Sequence, residues 1–170
     1  MSKFIFITGG QRSGKSVYAE KLALELSSHP FYIATAEGLD DEMRERIKRH
    51  QQRRGNNWTT IEEPVNVGDI RLPEGAIAVF DCMTLWATNC LFKFEEDVAA
   101  ALSFMKSELE KLRPQDATFI FVSNETGAGG ISDNPLVRKF TDLIGMINCH
   151  TAAISENVYL CVAGIPVKIK

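Results

Sequence analysis

Much that would mark a secreted, membrane-spanning or zinc-stapled protein is missing from this sequence. The four cysteines, Cys82, Cys90, Cys149 and Cys161, lie far apart, with no Cys-x-x-Cys pair and no histidine at zinc-finger spacing. Neither a disulfide framework nor a structural zinc site is written here, and the cysteines read as reduced and mostly buried. No stretch reaches the roughly 18 consecutive apolar residues that a membrane span needs. The apolar start Phe4-Ile5-Phe6-Ile7 is too short for a signal peptide and runs into glycines instead of a cleavage site. These absences read as a cytoplasmic protein without a membrane span. Charge of one sign is scarce too: 19 Lys and Arg against 22 Asp and Glu leave a net charge of -3, which gives no global attraction to polyanions. Nor does the chain carry Asn-Lys-x-Asp, the guanine-reading motif of regulatory GTP switches.

What is present fits an ordinary globular protein, with 170 residues, 45% of them hydrophobic and 24% charged. That length and composition predict one compact domain spanning residues 1–170 and exclude intrinsic disorder. Short apolar runs rich in β-branched and aromatic residues recur at 4–8, 31–35, 76–80, 118–123 and 158–163. Continuous hydrophobicity, without alternation, suits strands buried on both faces of a parallel sheet. Helical spacing fills 15–27, 40–54, 95–112 and 134–156. Alternating strand and helix patterns predict an α/β fold, a mostly parallel central sheet with helices on both faces. The stretch 56–73 carries no clear pattern.

The strongest local signal is Gly9-Gly10-Gln11-Arg12-Ser13-Gly14-Lys15-Ser16, which satisfies G-x-x-x-x-G-K-[ST] between an apolar strand and a helical pattern. Glycines at 9 and 14 permit conformations and close approach that a Cβ would obstruct, so backbone N–H groups can converge on phosphate oxygens at a helix N-terminus. Lys15 would neutralise β- and γ-phosphate charge, and Ser16 would offer a hydroxyl to Mg²⁺. A Walker-B-like carboxylate is expected after a second strand, and Asp81 ends the run Ala76 to Phe80. The alternative for Asp81 is an N-cap of the next segment.

In the helical pattern 40–54, Met43, Ile47 and His50 share one face, among Arg44, Arg46, Lys48, Arg49, Arg53 and Arg54. Two readings of His50 stand side by side on this evidence. It is a partly buried structural histidine, or a neutral imidazole beside a bound triphosphate that attacks phosphorus covalently.

Gly-Gly-Gln-Arg-Ser-Gly-Lys-Ser at 9–16, Tyr-Ile-Ala-Thr-Ala at 32–36, Asp-Asp-Glu-Met at 40–43 and Arg-Ile-Lys-Arg-His at 46–50 together resemble one family. It is the bifunctional adenosylcobinamide kinase and adenosylcobinamide-phosphate guanylyltransferase family of cobalamin biosynthesis. Matches continue through Trp58, Thr60, Glu62 and Glu63, Asp81-Cys82-Met83-Thr84, Asn89, Ser123-Asn124-Glu125-Thr126-Gly127 and Gly164-Ile165-Pro166-Val167-Lys168. Thr141, Cys149 and Ser132 depart from the Arg, Gln and Pro common at those places.

The resemblance implies a P-loop NTPase domain, similar in layout to recombinase-type ATPases, assembled as a homotrimer. It implies phosphorylation of adenosylcobinamide with ATP or GTP, then transfer of GMP from GTP through a guanylylated histidine, which falls on His50, to give adenosylcobinamide-GDP. Carried over in the same way, the nucleotide contacts are Gly9, Gly10, Gln11, Arg12, Ser13, Gly14, Lys15, Ser16, Ala34, Thr35, Ala36, Gln51, Gln52, Arg53, Arg54, Glu62 and Asp81. Lys15 and Asp81 join His50 as catalytic residues, and Ser16 and Asp81 as ligands to Mg²⁺.

Two other readings compete. A P-loop kinase of another small alcohol would leave His50 structural. A recombinase-type nucleic-acid binder would use the basic cluster at 44–54, but Glu37, Asp40, Asp41 and Glu42 lie just upstream and no aromatic residue is interleaved with it. No nucleic-acid partner is expected.

Overall fold

A computed structural model of the chain describes residues 1–36 and 55–170. The helical pattern expected at 40–54, with His50, Gln51, Gln52, Arg53 and Arg54, lies outside the described residues. In chain order the strands are β1 (Lys3–Gly9), β2 (Phe31–Ala34), β3 (Thr59–Glu62), β4 (Ala76–Asp81), β5 (Ala117–Asn124), β6 (Asn157–Val162) and β7 (Ile165–Lys168). The helices are α1 (Lys15–Leu26), α2 (Met83–Lys93), α3 (Val98–Leu112) and α4 (Pro135–Ile154).

The seven strands among the described residues form one sheet in the order β3-β2-β4-β5-β1-β6-β7. Every pairing is parallel except that of β6 with β7. The α/β fold with a mostly parallel sheet and helices on both faces is the one expected, because strands shielded on both sides need apolar residues at every position. All five expected strands are present, and β3 and β7 are added. Thr59–Glu62 is too polar and short to announce itself, and it forms by pairing with β2 through Phe31 to Ala34.

Alternation along the strands sends side chains to two different cores. On one face Phe4, Phe6, Phe80, Phe119, Phe121 and Val158 meet Met83, Trp86 and Leu91 of α2, Met105 and Leu109 of α3, and Leu143, Ile144 and Ile147 of α4. On the other, Ile7, Val79, Ile120, Val122 and Cys161 meet Ala19 and Ala23 of α1.

The helix at 83–93 was not expected, because apolar residues surround it and give no single stripe. In the fold it is wedged between the sheet and α3 and α4, with Trp86 fully buried and its indole N–H donating to the Val65 carbonyl at 2.9 Å. The next helix begins at Val98, three residues later than the pattern suggested. Glu95 and Glu96 take positive φ in a turn, and Asp97 caps the helix by accepting from the Ala100 N–H.

Candidate phosphate site at the carboxyl edge of the sheet

Parallel strands all deliver their C-terminal ends to one edge, and β1, β2, β3, β4 and β5 bring Gly9, Ala34, Glu62, Asp81 and Asn124 there. The register is direct: Ala34 stands opposite both Glu62 and Asp81, and Gly9 stands opposite Asn124. Crevices at this edge are where open α/β sheets bind ligands.

The loop 9–16 folds as its glycines require. Gly14 caps α1 with φ 94, a left-handed conformation disfavoured for other residues, and a Cβ there would stand 3.0 Å from the Gly164 Cα. A Cβ on Gly9 would run into the Cys161 carbonyl oxygen and lie 2.6 Å from the Ser13 Oγ. The loop is thus pressed against the β6–β7 turn. The Gly164 N–H donates to the Ser13 carbonyl at 2.9 Å, and the Glu125 N–H donates to the Gly9 carbonyl at 2.9 Å. Lys15 is 8% exposed, and its Nζ donates to the Gly10 carbonyl at 2.8 Å. The Ser13 hydroxyl is buried without a hydrogen-bond partner among the described residues. Orphaned donors of this kind are uncommon in folded proteins and suit a polar ligand.

Asp81 does not cap α2. The cap is Cys82, whose Sγ accepts from the Leu85 N–H. Tyr32 instead donates its hydroxyl to Asp81 Oδ2 at 2.9 Å, which fixes the carboxylate on the α1 face and leaves Oδ1 without a hydrogen bond among the described residues. Thr35 is buried, donates to the Cys82 carbonyl at 2.8 Å and accepts from the Cys82 N–H at 3.0 Å, so it ties the end of β2 to the segment after Asp81. Burial, helped by the Asp81 charge, pushes the Cys82 thiol up to about 11 and keeps it protonated at neutral pH.

The structure therefore sets Gly9 to Ser16, Ala34, Thr35, Ala36 and Asp81 along one edge of the sheet, with β5 between the loop-bearing strand and Asp81, and with the exposed Glu62 two strands beyond Asp81. Among the described residues no three His, Cys, Asp or Glu side chains converge on one point. Carboxylate and hydroxyl oxygens are the donors that Mg²⁺ takes beside nucleotide phosphates, so the chemistry of Asp81 and Ser16 fits that ion. Sequence reasoning missed the second tier of contacts: Tyr32 on Asp81, Thr84 Oγ1 accepting from the Asn124 N–H at 3.0 Å, and Asn148 donating to the Asn124 carbonyl at 3.1 Å. Each joins residues at least 24 positions apart, which no periodicity reports. No described helix is long and apolar enough to cross a membrane.

A family model for cobinamide kinase / cobinamide phosphate guanyltransferase matches residues 5–169. The chain is 36% identical to the bifunctional adenosylcobalamin biosynthesis protein CobU of Escherichia coli, with 98% of this chain and 99% of the relative aligned. It is 39% identical to the CobP protein of the same description from Pseudomonas aeruginosa, over 96% of this chain and 95% of the relative. It is 37% identical to CobU of Salmonella typhimurium, over 98% and 99%.

Proposed function

The chain belongs to the cobinamide kinase / cobinamide phosphate guanyltransferase family, and from that premise we propose that it phosphorylates adenosylcobinamide and then converts the product to adenosylcobinamide-GDP. The observation that carries this reading is the loop 9–16, stapled to β5 and to the β6–β7 turn and set on the same sheet edge as Asp81. That arrangement suits a nucleoside triphosphate, ATP or GTP, with Mg²⁺.

In the kinase step the loop N–H groups and Lys15 hold the β- and γ-phosphates, and the hydroxyl of the corrinoid side chain attacks the γ-phosphorus as the bond to the β-phosphate oxygen breaks. Ser16 and Asp81 would hold Mg²⁺, which when bound would neutralise charge on the phosphate oxygens. Tyr32 keeps the Asp81 carboxylate in one orientation. Gly9, Gly10, Gln11, Arg12, Ser13, Gly14, Ala34, Thr35, Ala36, Glu62 and, outside the described residues, Gln51, Gln52, Arg53 and Arg54 are the proposed nucleotide contacts.

Guanylyl transfer needs attack at the α-phosphorus instead. Direct attack by the substrate phosphate would bring two anions together, whereas neutral imidazole avoids that repulsion. The proposed nucleophile is His50: its nitrogen bonds to the α-phosphorus of GTP as pyrophosphate leaves, and the substrate phosphate then displaces the nitrogen. The enzyme is proposed to work in the cytoplasm, on the sequence reading above, and as a homotrimer, on the family resemblance alone; light scattering tests the assembly.

Labelled GTP tests the chemistry. The wild type is expected to acquire a GMP label that is lost in acid and retained in base, as a phosphoramidate is, while His50→Ala stays unlabelled and still phosphorylates adenosylcobinamide. A labelled, guanylyl-transferring His50→Ala protein would remove His50 from the mechanism.

A further inference from the structure

β5 is the strand between the two halves of the phosphate site. In the sheet order it runs between β4, which ends at Asp81, and β1, which delivers the glycine loop. Neighbouring strands lie about 4.8 Å apart, so the end of β5 stands one strand from the carboxylate and one strand from the loop. Alternation sets its faces: Phe119, Phe121 and Ser123 point to the aromatic core, where the Ser123 hydroxyl donates to Asn148 Oδ1 at 2.6 Å. Ile120, Val122 and Asn124 belong to the opposite face, shared with Val79, Asp81 and α1.

The backbone of Asn124 is held by side chains from two helices. Its N–H donates to Thr84 Oγ1 of α2 at 3.0 Å, and its carbonyl accepts from Asn148 Nδ2 of α4 at 3.1 Å. The following residue, Glu125, donates its N–H to the Gly9 carbonyl. Yet the half-buried Asn124 carboxamide makes no hydrogen bond among the described residues. The neighbourhood is rich in the same unspent capacity. The buried hydroxyls without a partner among the described residues are those of Thr8, which precedes Gly9 on β1, Ser13 in the glycine loop, and Thr126, two residues past the end of β5. A strand end fixed this tightly, with its polar side chain uncommitted, is built to present that side chain to something else.

Resting on the kinase reading above, we propose that Asn124 donates its carboxamide N–H to an oxygen of the transferring γ-phosphoryl group, and that Asn148 is the positioning residue that holds it there. A neutral carboxamide suits this place. It offers two donors to a group whose charge is spread over three equatorial oxygens, and adds no negative charge beside Asp81. In the step itself the alcohol oxygen forms the new O–P bond, the β–γ bridging O–P bond breaks, and Asn124 exchanges no proton.

Full-length Asn124→Ala, Asn124→Asp and Asn148→Asp proteins test the assignment, with adenosylcobinamide phosphorylation, nucleotide displacement and thermal unfolding as readouts. Asn124→Ala is expected to lose about a hundredfold in kcat, as removal of one aligned donor does, with triphosphate affinity within about threefold of wild type. Asn124→Asp, which is isosteric and guards against a simple folding defect, is expected to lose more, because its carboxylate repels the phosphoryl oxygens. Asn148→Asp keeps the acceptor for Ser123 but turns an oxygen toward the Asn124 carbonyl, so a smaller loss in kcat is expected. Wild-type kcat in both Asn124 variants overturns the assignment. So does a fall in triphosphate affinity that accounts for the whole loss, since Asn124 would then act in ground-state binding. A wild type that does not phosphorylate adenosylcobinamide defeats the functional reading instead, and the Asn124 contrast is then read on Mg²⁺-dependent triphosphate hydrolysis with the same two criteria.

Discussion

On one face of the sheet, Phe4, Phe6, Phe80, Phe119 and Phe121 meet three helices; on the other, Ile7, Val79, Ile120 and Val122 meet the alanines of one. The first face interlocks large rings. Phe4 and Phe121 pack edge to face with centroids 5.0 Å apart, and Phe80 lies 5.4 Å from both Trp86 and Phe121. Aromatic pairs of this kind add about 0.5–1.5 kcal/mol each beyond the area they bury. The second face is thin by design. Ala19 and Ala23 let α1 lie close on β1, β4 and β5, and that closeness draws the preceding loop tight over the strand ends. The two faces divide the labour: the aromatic face anchors the sheet, and the small-residue face sets the glycine loop against it.

Three substitutions probe this division. Lys15→Ala is expected to have the largest effect, a loss of about a thousandfold or more in both phosphoryl and guanylyl transfer, because each proposed step binds its own triphosphate at the same loop with the same lysine ammonium. Its circular dichroism should stay that of the wild type, since the change lies outside both cores. Kinase turnover preserved in that variant would mean that the two activities do not share the loop.

On the aromatic face, Phe121→Ala is expected to cost about 3–5 kcal/mol of stability in denaturant unfolding, whereas Ile7→Val on the α1 face should cost about 0.5–1.5. A cost for Phe121→Ala no larger than that for Ile7→Val would show that the aromatic core closes over the vacated ring.

The smallest effect concerns thiols. Cys149 is exposed, while Cys82 and Cys90 keep their protons to about 11 and about 12 through burial. Alkylation of the native protein near pH 8 should therefore mark Cys149 first. The folded Cys82 releases its proton above the ordinary value of 9.0. The sign follows: stability is unaffected below pH 9 and falls as pH rises from 9 toward 11, because the unfolded chain ionises first. Mass spectrometry after timed alkylation reads the order directly, and early labelling of Cys82 would show that the α2 cap opens.

Whatever depends on neighbours in the chain was legible beforehand. The loop at 9–16 is contiguous, its glycines and lysine obey local backbone geometry, and the apolar runs of β1, β2, β4, β5 and β6 announce a sheet buried on both faces. Asp81 was legible as the polar end of such a run, although its cap reading failed because Cys82 takes that place. The helix Met83–Lys93 and the strand Thr59–Glu62 were not legible, since one has no polar stripe and the other no apolar one.

Local sequence was enough for the strand and helix alternation, the phosphate loop and the family resemblance. Tertiary structure alone decided that β5 comes between β4 and β1, that Tyr32 grips Asp81 across 49 positions, and that Thr84 and Asn148 clamp Asn124. The physical reason is range. Conformational preferences and hydrophobic periodicity act over a few residues, whereas strand order and hydrogen bonds between distant side chains exist only once the whole sheet has closed on its two cores.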